Sequence, residues 1–442
     1  LPGYFLGNRG LAASALALTA TVQSGGTFMG YPSLVYSYGW IVALWIGGYM
    51  VVPITGFGVL AKRVAQLSRR TGAIKVPDLF RERFNSPAAG LISSLLIMFV
   101  MSFMMVAQFK AGATVMKVVW PTQAAAILSE AREADIETES PSTAETAADG
   151  TEPAAKTAAT TPARPAPAKL DKLYLIGLIV FSVTVVGYTM IGGFLAAVWT
   201  DLFQSVLMLV GVLLLLGLTM SQVGSLETAT RTAVEETNAS YAFGPGYIAD
   251  DAKDPREFLP TGLAVSFFFV WVFSGIASPA GVVRLMACKS TSTIRRSIVM
   301  LALYNMMIYI PLLLICVAAR SVMPDLTPSQ SDEVMPRMAL WTTRDMWGGP
   351  LVAGLVLVAP FGAVMATVSS YLVVIASGLV HDVYQRFFRP HASQGEIRLM
   401  TYAVMATVGV IAVAANVKPV TFLQVIVVFC GSTAAASFVV PT

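Results

Sequence analysis

The sequence is poor in charged residues. Only 12% of its 442 residues are Asp, Glu, Lys or Arg, whereas soluble domains carry about 25%. Because so few charges cannot cover the surface of a 47.0 kDa globule in water, we do not expect a soluble protein. A large soluble α/β enzyme would also show apolar runs of about four to eight residues, and the runs here are much longer.

Cysteine and histidine are also scarce. The three cysteines are an odd number without a CxxC pair and lie in or near apolar segments, so we interpret them as small core residues. Neither histidine has Glu or Cys at ligand spacing, and we predict no metal site. His381 and Arg284 are expected to close helices at the cytoplasmic face, as interface anchors or as charges at helix C-termini. Without a phosphate loop or a nucleophile–base pair, the chain is not predicted to be an enzyme.

Apolar residues, by contrast, make up 56% of the chain, and its mean hydropathy is +0.70. They form long runs, and a helix needs about 20 apolar residues to span hydrocarbon. A membrane β-barrel would show alternating segments of about ten residues. The sequence therefore predicts an all-α integral membrane protein. Its ten spans, numbered in chain order, are Leu11–Gly30, Trp40–Leu60, Ala88–Val119, Leu173–Gly192, Ala196–Ser221, Thr261–Ala287, Ser297–Val322, Leu351–Val380, Met400–Ala415 and Val420–Pro441.

The connections between spans alternate in charge. Lys and Arg concentrate in those between spans two and three, six and seven, and eight and nine, and we call this end of the bundle the basic face. Acidic residues concentrate between spans three and four, five and six, and seven and eight, at the acidic face. Because Lys and Arg mark the cytoplasmic side, we expect Leu1 and Thr442 both to be cytoplasmic, in the cell inner (plasma) membrane. We also expect further helices beyond residues 1–442.

One connection differs in composition. Residues 122–169 are rich in Ala, Thr, Pro and Glu and lack apolar periodicity. Such a segment cannot bury enough apolar surface to fold. We predict a disordered extracytoplasmic insertion, and the alternative is a binding tether.

Two spans contain polar, glycine-rich or proline-containing stretches at mid-membrane, at 20–27 in span one and 273–279 in span six. Transporters place solute and ion sites at such helix breaks, where backbone groups are freed. The spans hold equivalent positions in two halves of five, approximately 11–221 and 261–441, which indicates an inverted repeat. Close packing through small residues is the alternative. The side chains or backbone expected to bind solute here are those of Ser24, Thr27, Ser274 and Gly275.

Span eight carries small and hydroxylic residues on one helical face, Ala363, Ala366 and Thr367. Sodium, a hard cation, prefers oxygen ligands, and a Thr hydroxyl beside a carbonyl could supply two. The alternative is that the hydroxyl bonds to its own i−4 carbonyl.

Two of the charged residues within the apolar spans bear on function. Lys110 lies deep in span three near Gln108, and a buried Lys costs at least about 2.5–3.5 kcal/mol, so it normally faces a cavity or counter-ion. We hypothesise that Lys110 pairs with a solute carboxylate or partly replaces sodium, with Gln108 also at the solute site; the alternative for Lys110 is snorkelling to the interface. Asp201 opens span five, either on an ion path or as a helix N-terminal acid.

These residues resemble the sodium/solute symporter family, which has the inverted-repeat transporter fold, and most closely its sodium/pantothenate branch. The matching motifs include Tyr4-Phe5-Leu6-Gly7-Asn8-Arg9, Gly192-Gly193-Phe194-Leu195, Thr200-Asp201 with Gln204, Pro279 followed by Arg284, Ala363-Val364-Met365-Ala366-Thr367, His381-Asp382-Val383-Tyr384 and, for the branch, Leu18-Thr19-Ala20-Thr21 and Val106-Ala107-Gln108-Phe109.

The resemblance implies that sodium is the coupling ion and lies between spans one and eight. Its expected ligands are the carbonyls of Ala20, Gln23 and Ala363 and the hydroxyl of Thr367, while Asp201 resembles an acid on the sodium exit path. Ala366 replaces a residue that is usually Ser in the family, which removes one ligand and predicts weak sodium binding.

Together these observations predict a secondary active symporter that imports a small organic solute, a carboxylate such as pantothenate, by alternating access. A solute-sensor domain of a signalling protein and a sodium-independent transporter that uses Lys110 are the alternatives. The expected partners are the solute and the lipid bilayer, with no nucleic acid and no cofactor other than the ion. The oligomeric state stays open.

Overall fold

The computed structural model describes residues 24–73, 75–139, 171–237, 239–244, 246–247, 260–288, 290–327, 330–418 and 423–438. The regular structure in these ranges is helical. The predicted sodium ligands Ala20 and Gln23 lie outside the described residues.

Six helices are long and apolar enough to cross a membrane, and they correspond to predicted spans three, four, five, seven, eight and nine. Spans four and five meet at Gly193, whose φ of 60° is in the left-handed region that favours glycine. Span eight continues past its predicted end at Val380 to Phe388. The six helices are Pro87–Val119, Lys172–Gly193, Ala197–Val223, Thr291–Val322, Gly349–Phe388 and Gln394–Asn416.

Span six is broken as predicted. One helix covers Thr261–Ala277 and a second covers Pro279–Met286, with Ser278 between them at φ −59° and ψ 112°. Pro279 causes this geometry, because proline disfavours helical ψ in the residue before it and has no N–H to donate.

The described part of span one is helical beyond its predicted end. A π-helix over Gly26–Gly30 leads into an α-helix over Tyr31–Tyr38. The helix ends at Gly39, whose φ is 73° and where an added Cβ would lie 2.2 Å from the carbonyl oxygen of Tyr241. Only glycine allows the turn into span two at this contact.

Span two is longer than predicted. It runs through Gly39–Ile41, Val42–Val52 and the π-helix Pro53–Phe57, and then continues as Gly58–Thr71 instead of ending at Leu60. The extension into the basic-face connection is amphipathic, with charged residues facing water and small residues packing inward. Within the described residues, the last span is a helix over Leu423–Phe438.

The connections hold more helix than predicted. Residues 122–139 of the predicted disordered insertion belong to a helix, Pro121–Glu139, so disorder was wrong there; Ala and Glu favour helix, and Ile127 is buried. Residues 140–169 lie outside the described part. The other short helices are Val76–Phe84 at the basic face and Leu226–Glu236, Ala239–Ala242, Ser331–Glu333 and Val334–Thr343 at the acidic face.

Large apolar side chains cover the outside of the bundle. Ile191, Val183 and Phe203 are 86%, 69% and 67% exposed. In water such a surface would be unstable, but in a bilayer it faces lipid tails. The spans and their outer surface together fit a multi-pass membrane protein.

Candidate functional site

A cavity lies between the described start of span one and the break in span six. Its volume is about 80 Å³, and because one buried water needs about 10–15 Å³ by the same measure, it has room for several waters or a small solute. Spans one, three, six, seven, eight and ten all contribute to its wall. The lining residues are Ser24, Gly26, Thr27, Tyr31, Val100, Met101, Met104, Trp271, Ser274, Gly275, Ser278, Tyr309, Tyr371, Val427, Cys430, Gly431 and Ala434.

Side chains satisfy the backbone of span one at the cavity. The Gly26 amide donates to Ser24 Oγ at 3.1 Å, and the Ser24 amide donates to Thr27 Oγ1 at 3.3 Å. The Thr27 hydroxyl also lies 3.1 Å from the Tyr309 hydroxyl. These contacts give the backbone amides of Ser24 and Gly26 side-chain acceptors, which backbone groups inside a membrane need. They also place two hydroxyl groups, those of Ser24 and Thr27, at the cavity wall.

Gln108 supports span one from behind. Its Oε1 accepts a hydrogen bond of 2.7 Å from the Gly25 amide, and the side chain is fully buried. An added Cβ on Gly25 would lie 2.6 Å from the Ala111 side chain, so only glycine fits between spans one and three. Gln108, predicted as a solute ligand, is not among the lining residues; in this structure it holds the Gly25 backbone of span one.

Ser274 and Gly275, predicted to bind solute, line the cavity from span six. A Cβ on Gly275 would lie 2.7 Å from Val52, so this glycine also brings spans two and six into close contact. A Cβ on Gly431 would approach Ser274 Oγ to 2.9 Å. The missing side chain at Gly431 therefore leaves room beside the Ser274 hydroxyl.

The sequence reasoning missed the aromatic part of the wall. Tyr31, Trp271, Tyr309 and Tyr371 come from four different spans. Trp271 lies four residues before Gly275, one helical turn away, so its position on the same face could have been read from the spacing. The others could not, because apolar spans do not show which face meets the cavity. None of the described lining residues carries a charge.

The predicted ion stripe on span eight is buried. Ala363 and Thr367 are both 0% exposed, and the Thr367 hydroxyl donates to the Ala363 carbonyl at 2.9 Å. This is the i−4 hydrogen bond of the alternative reading. It still leaves lone pairs on both oxygens, so the pair can supply two adjacent cation ligands. The Ala366 carbonyl accepts from Ser369 Oγ at 2.9 Å, and the Ala366 side chain supplies no ligand.

Asp201 forms a buried ion pair. Its Oδ2 lies 2.5 Å from Arg284 Nη2, which also contacts Ser370 Oγ at 2.6 Å. The other carboxylate oxygen, Oδ1, has no hydrogen-bond partner among the described residues. Arg284 was predicted to be an interface anchor or a charge at a helix C-terminus. It does lie in the last turn of its helix, but the anchor alternative was wrong: Arg284 is only 4% exposed, because Asp201 provides the counter-charge that lets it enter the bundle.

A second cavity, of about 50 Å³, lies between this ion pair and the basic face. Arg284 and Ser370 line one side. Lys75 and Asp382 line the other and form an ion pair, and Ser94 Oγ donates to Asp382 Oδ2 at 2.6 Å.

Lys110 is directed away from the central cavity. Its Nζ lies 2.6 Å from Asp332 Oδ2, in the connection between spans seven and eight, and it is not among the lining residues. The counter-ion is therefore a carboxylate of the protein, in place of the solute or the span-eight ion site that we hypothesised. Snorkelling is also excluded, since the Lys110 side chain is only 10% exposed. The pairing could not be found from sequence, because 222 residues separate the partners.

Known proteins are similar to this chain in sequence and in fold. The chain is 27% identical over 414 residues to the sodium/pantothenate symporter of Haemophilus influenzae, covering 92% of this chain and 71% of that protein. It is 26% identical to the sodium/pantothenate symporter of Escherichia coli, covering 94% and 73%. The osmoregulated proline transporter of Bacillus subtilis is 23% identical over 94% of this chain and 72% of that protein.

Among solved structures, a Na⁺-coupled sialic acid symporter in a substrate-bound outward-open state aligns with a TM-score of 0.67 at 18% identity, over 100% of this chain and 80% of that one. The predicted inverted-repeat transporter fold is thereby confirmed. The similar proteins are transporters, which agrees with the prediction that the chain is not an enzyme. The sodium:solute symporter family profile matches residues 4–129 and 169–441. The chain therefore belongs to the sodium:solute symporter family.

Proposed function

We propose that this protein is a secondary active symporter that carries a small organic carboxylate into the cell together with sodium. The observation that carries the proposal is the cavity between the described start of span one and the break of span six, with the hydroxyls of Ser24, Thr27 and Ser274 at its wall. Alternating access would expose this cavity first to one face and then to the other. The positive-inside distribution supports an orientation with the basic face in the cytoplasm.

The chemistry of the cavity supports a solute with both polar and apolar parts. Hydroxyl groups donate hydrogen bonds to a carboxylate, and the helix that starts at Pro279, directly after lining residue Ser278, adds its positive end. The rings of Trp271 and Tyr371 and the Met104 side chain offer an apolar surface for the rest of the solute. Pantothenate combines a carboxylate, hydroxyls and a short carbon chain, and the names of two relatives make it the first solute to test.

The oxygens of Ala363 and Thr367 support a sodium site between spans one and eight. In this proposal Ala20 and Gln23 supply further carbonyl ligands. Because Ala366 contributes no oxygen, the site would have weaker sodium affinity than one with Ser at this position. Asp201, with its unpartnered Oδ1, would then receive the ion on its way to the basic face.

Uptake by proteoliposomes tests the proposal. We expect radiolabelled pantothenate to accumulate only with an inward sodium gradient, and Ala366→Ser to lower the sodium concentration for half-maximal uptake about tenfold, since a ligand to an ion contributes about 1.5–3 kcal/mol. Ala353→Ser, at another buried position of span eight, should leave it unchanged. Gradient-independent uptake would refute sodium coupling, and equal effects of the two Ser variants would refute the ion site.

A further inference from the structure

We infer that the buried ion pair between Lys110 and Asp332 is a latch that closes the central cavity toward the acidic face. Two helices in the connection between spans seven and eight, Ser331–Glu333 and Val334–Thr343, act as a lid in this view. The inference rests on the proposed alternating-access function, because a latch matters only if the cavity opens.

The lid is buried to an extent that is unusual for a connection. Loops normally run over a protein surface, but every residue of the helices Ser331–Glu333 and Val334–Thr343 is buried. Their backbone satisfies itself within the helices, and the Thr342 carbonyl accepts from Gln222 Nε2 of span five at 2.5 Å. The lid is therefore packed into the acidic end of the bundle.

The tip of the lid contacts the helix that forms the cavity wall. Ser331 Oγ lies 2.5 Å from Ser33 Oγ of span one, and Ser33 follows the lining residue Tyr31 by two positions. A solute approaching from the acidic face would meet this contact before it reached the cavity. The lid must move for that route to open.

Two turns of span three hold the tip in place with positive charge. Lys110 and Lys117 are seven residues apart and so share one helical face. Lys110 contacts Asp332 at 2.6 Å and Lys117 contacts Glu333 at 3.1 Å. Glu333 also pairs with Arg337 of the lid at 3.0 Å. Consecutive acids at the tip therefore meet two lysines that lie about two turns apart on one face of span three.

The Lys110–Asp332 pair has the properties of a latch. Its side chains are 10% and 2% exposed, and a buried charge that loses its partner is strongly unfavourable. A lid that lifts only slightly would leave both charges without partner or water. A lid that lifts fully would hydrate both. Partial openings are thus disfavoured, and the pair separates the closed state from the open state.

Cys430 provides a native reporter, because it lines the cavity. In a Cys288→Ala/Cys316→Ala background, a charged membrane-impermeant methanethiosulfonate should modify Cys430 slowly from the acidic face. We expect Lys110→Met and Asp332→Asn each to speed that modification at least tenfold, without speeding it from the basic face. Right-side-out and inside-out vesicles separate the two directions. Glu227→Gln breaks an exposed ion pair with Arg231 at the acidic face and should have no effect.

The latch would be overturned if Cys430 in Lys110→Met and Asp332→Asn were modified within threefold of the rate in the Glu227→Gln control. Equal acceleration of the modification from both faces would overturn it as well. The measurement needs neither solute nor sodium, so failure of the proposed transport function would appear separately, as absent uptake.

A second variant keeps the ion pair intact. Ser33→Cys/Ser331→Cys places two thiols where the hydroxyls now touch; once oxidised, it should stop uptake and protect Cys430, and reductant should restore both. Unchanged uptake in the fully cross-linked protein would show that the lid need not move.

Discussion

Buried ion pairs occur at both ends of the helix bundle, but they join different kinds of structure. Asp201 and Arg284 connect spans five and six, with Ser370 of span eight as a further partner. Lys110 and Asp332, by contrast, connect one span to a lid. Separating the first pair requires membrane helices to move apart, whereas separating the second requires only a connection to move. Similar chemistry thus serves helix packing in one place and access to the cavity in the other.

The basic face also has an ion pair that joins a connection to a span. Lys75, in the connection between spans two and three, contacts Asp382 near the end of span eight. Ser94 of span three contacts the same carboxylate. Both ends of the molecule therefore have a connection that a lysine–aspartate pair joins to a span. The comparison predicts that variants of these pairs alter access from opposite faces, while variants of the Asp201 pair alter stability.

The largest effect is expected for Asp201→Asn. This change leaves Arg284 buried without its counter-charge, which costs about 3–5 kcal/mol. We expect a marked fall in Tm of the purified protein and loss of uptake. The double variant Asp201→Asn/Arg284→Gln removes both charges and should regain most of the Tm. If Asp201 also lies on the ion path, sodium-driven uptake should stay lost in the double variant; recovery of uptake together with Tm would show that the pair is only structural.

A smaller and directional effect is expected for Lys75→Met. Loss of the ammonium frees the basic-face connection from Asp382, so Cys430 should be modified severalfold faster from the basic face and no faster from the acidic face. Asp332→Asn should show the reverse. Lys62→Met, at an exposed position of the same face, is the matched control. Acceleration of both variants from the same face would contradict the opposed arrangement of the two pairs.

The sequence was sufficient for the elements whose cause is local. Ser278-Pro279 predicts a break because proline acts on its immediate neighbour, and long apolar runs predict spans because hydrocarbon requires them. The lid was missed because Val334–Thr343 is too short for a span and follows acidic residues that are typical of an exposed loop. The pairing of Asp201 with Arg284 was missed because 83 residues separate them, and only the packed bundle brings them together.

The smallest effect is expected for Lys117→Met. The ammonium contacts Glu333 at 3.1 Å and Asp171 at 3.3 Å, but the side chain is 23% exposed, so water can replace part of what is lost. Glu333 also keeps its ion pair with Arg337. Partly exposed pairs contribute about 0–1 kcal/mol, so Cys430 should be modified from the acidic face no more than about fivefold faster than in wild type, against at least tenfold for Lys110→Met. Added salt should shrink this difference, because solvent-accessible charges are screened. An effect equal to that of Lys110→Met would mean that the whole charged row of span three holds the lid, rather than the single buried pair.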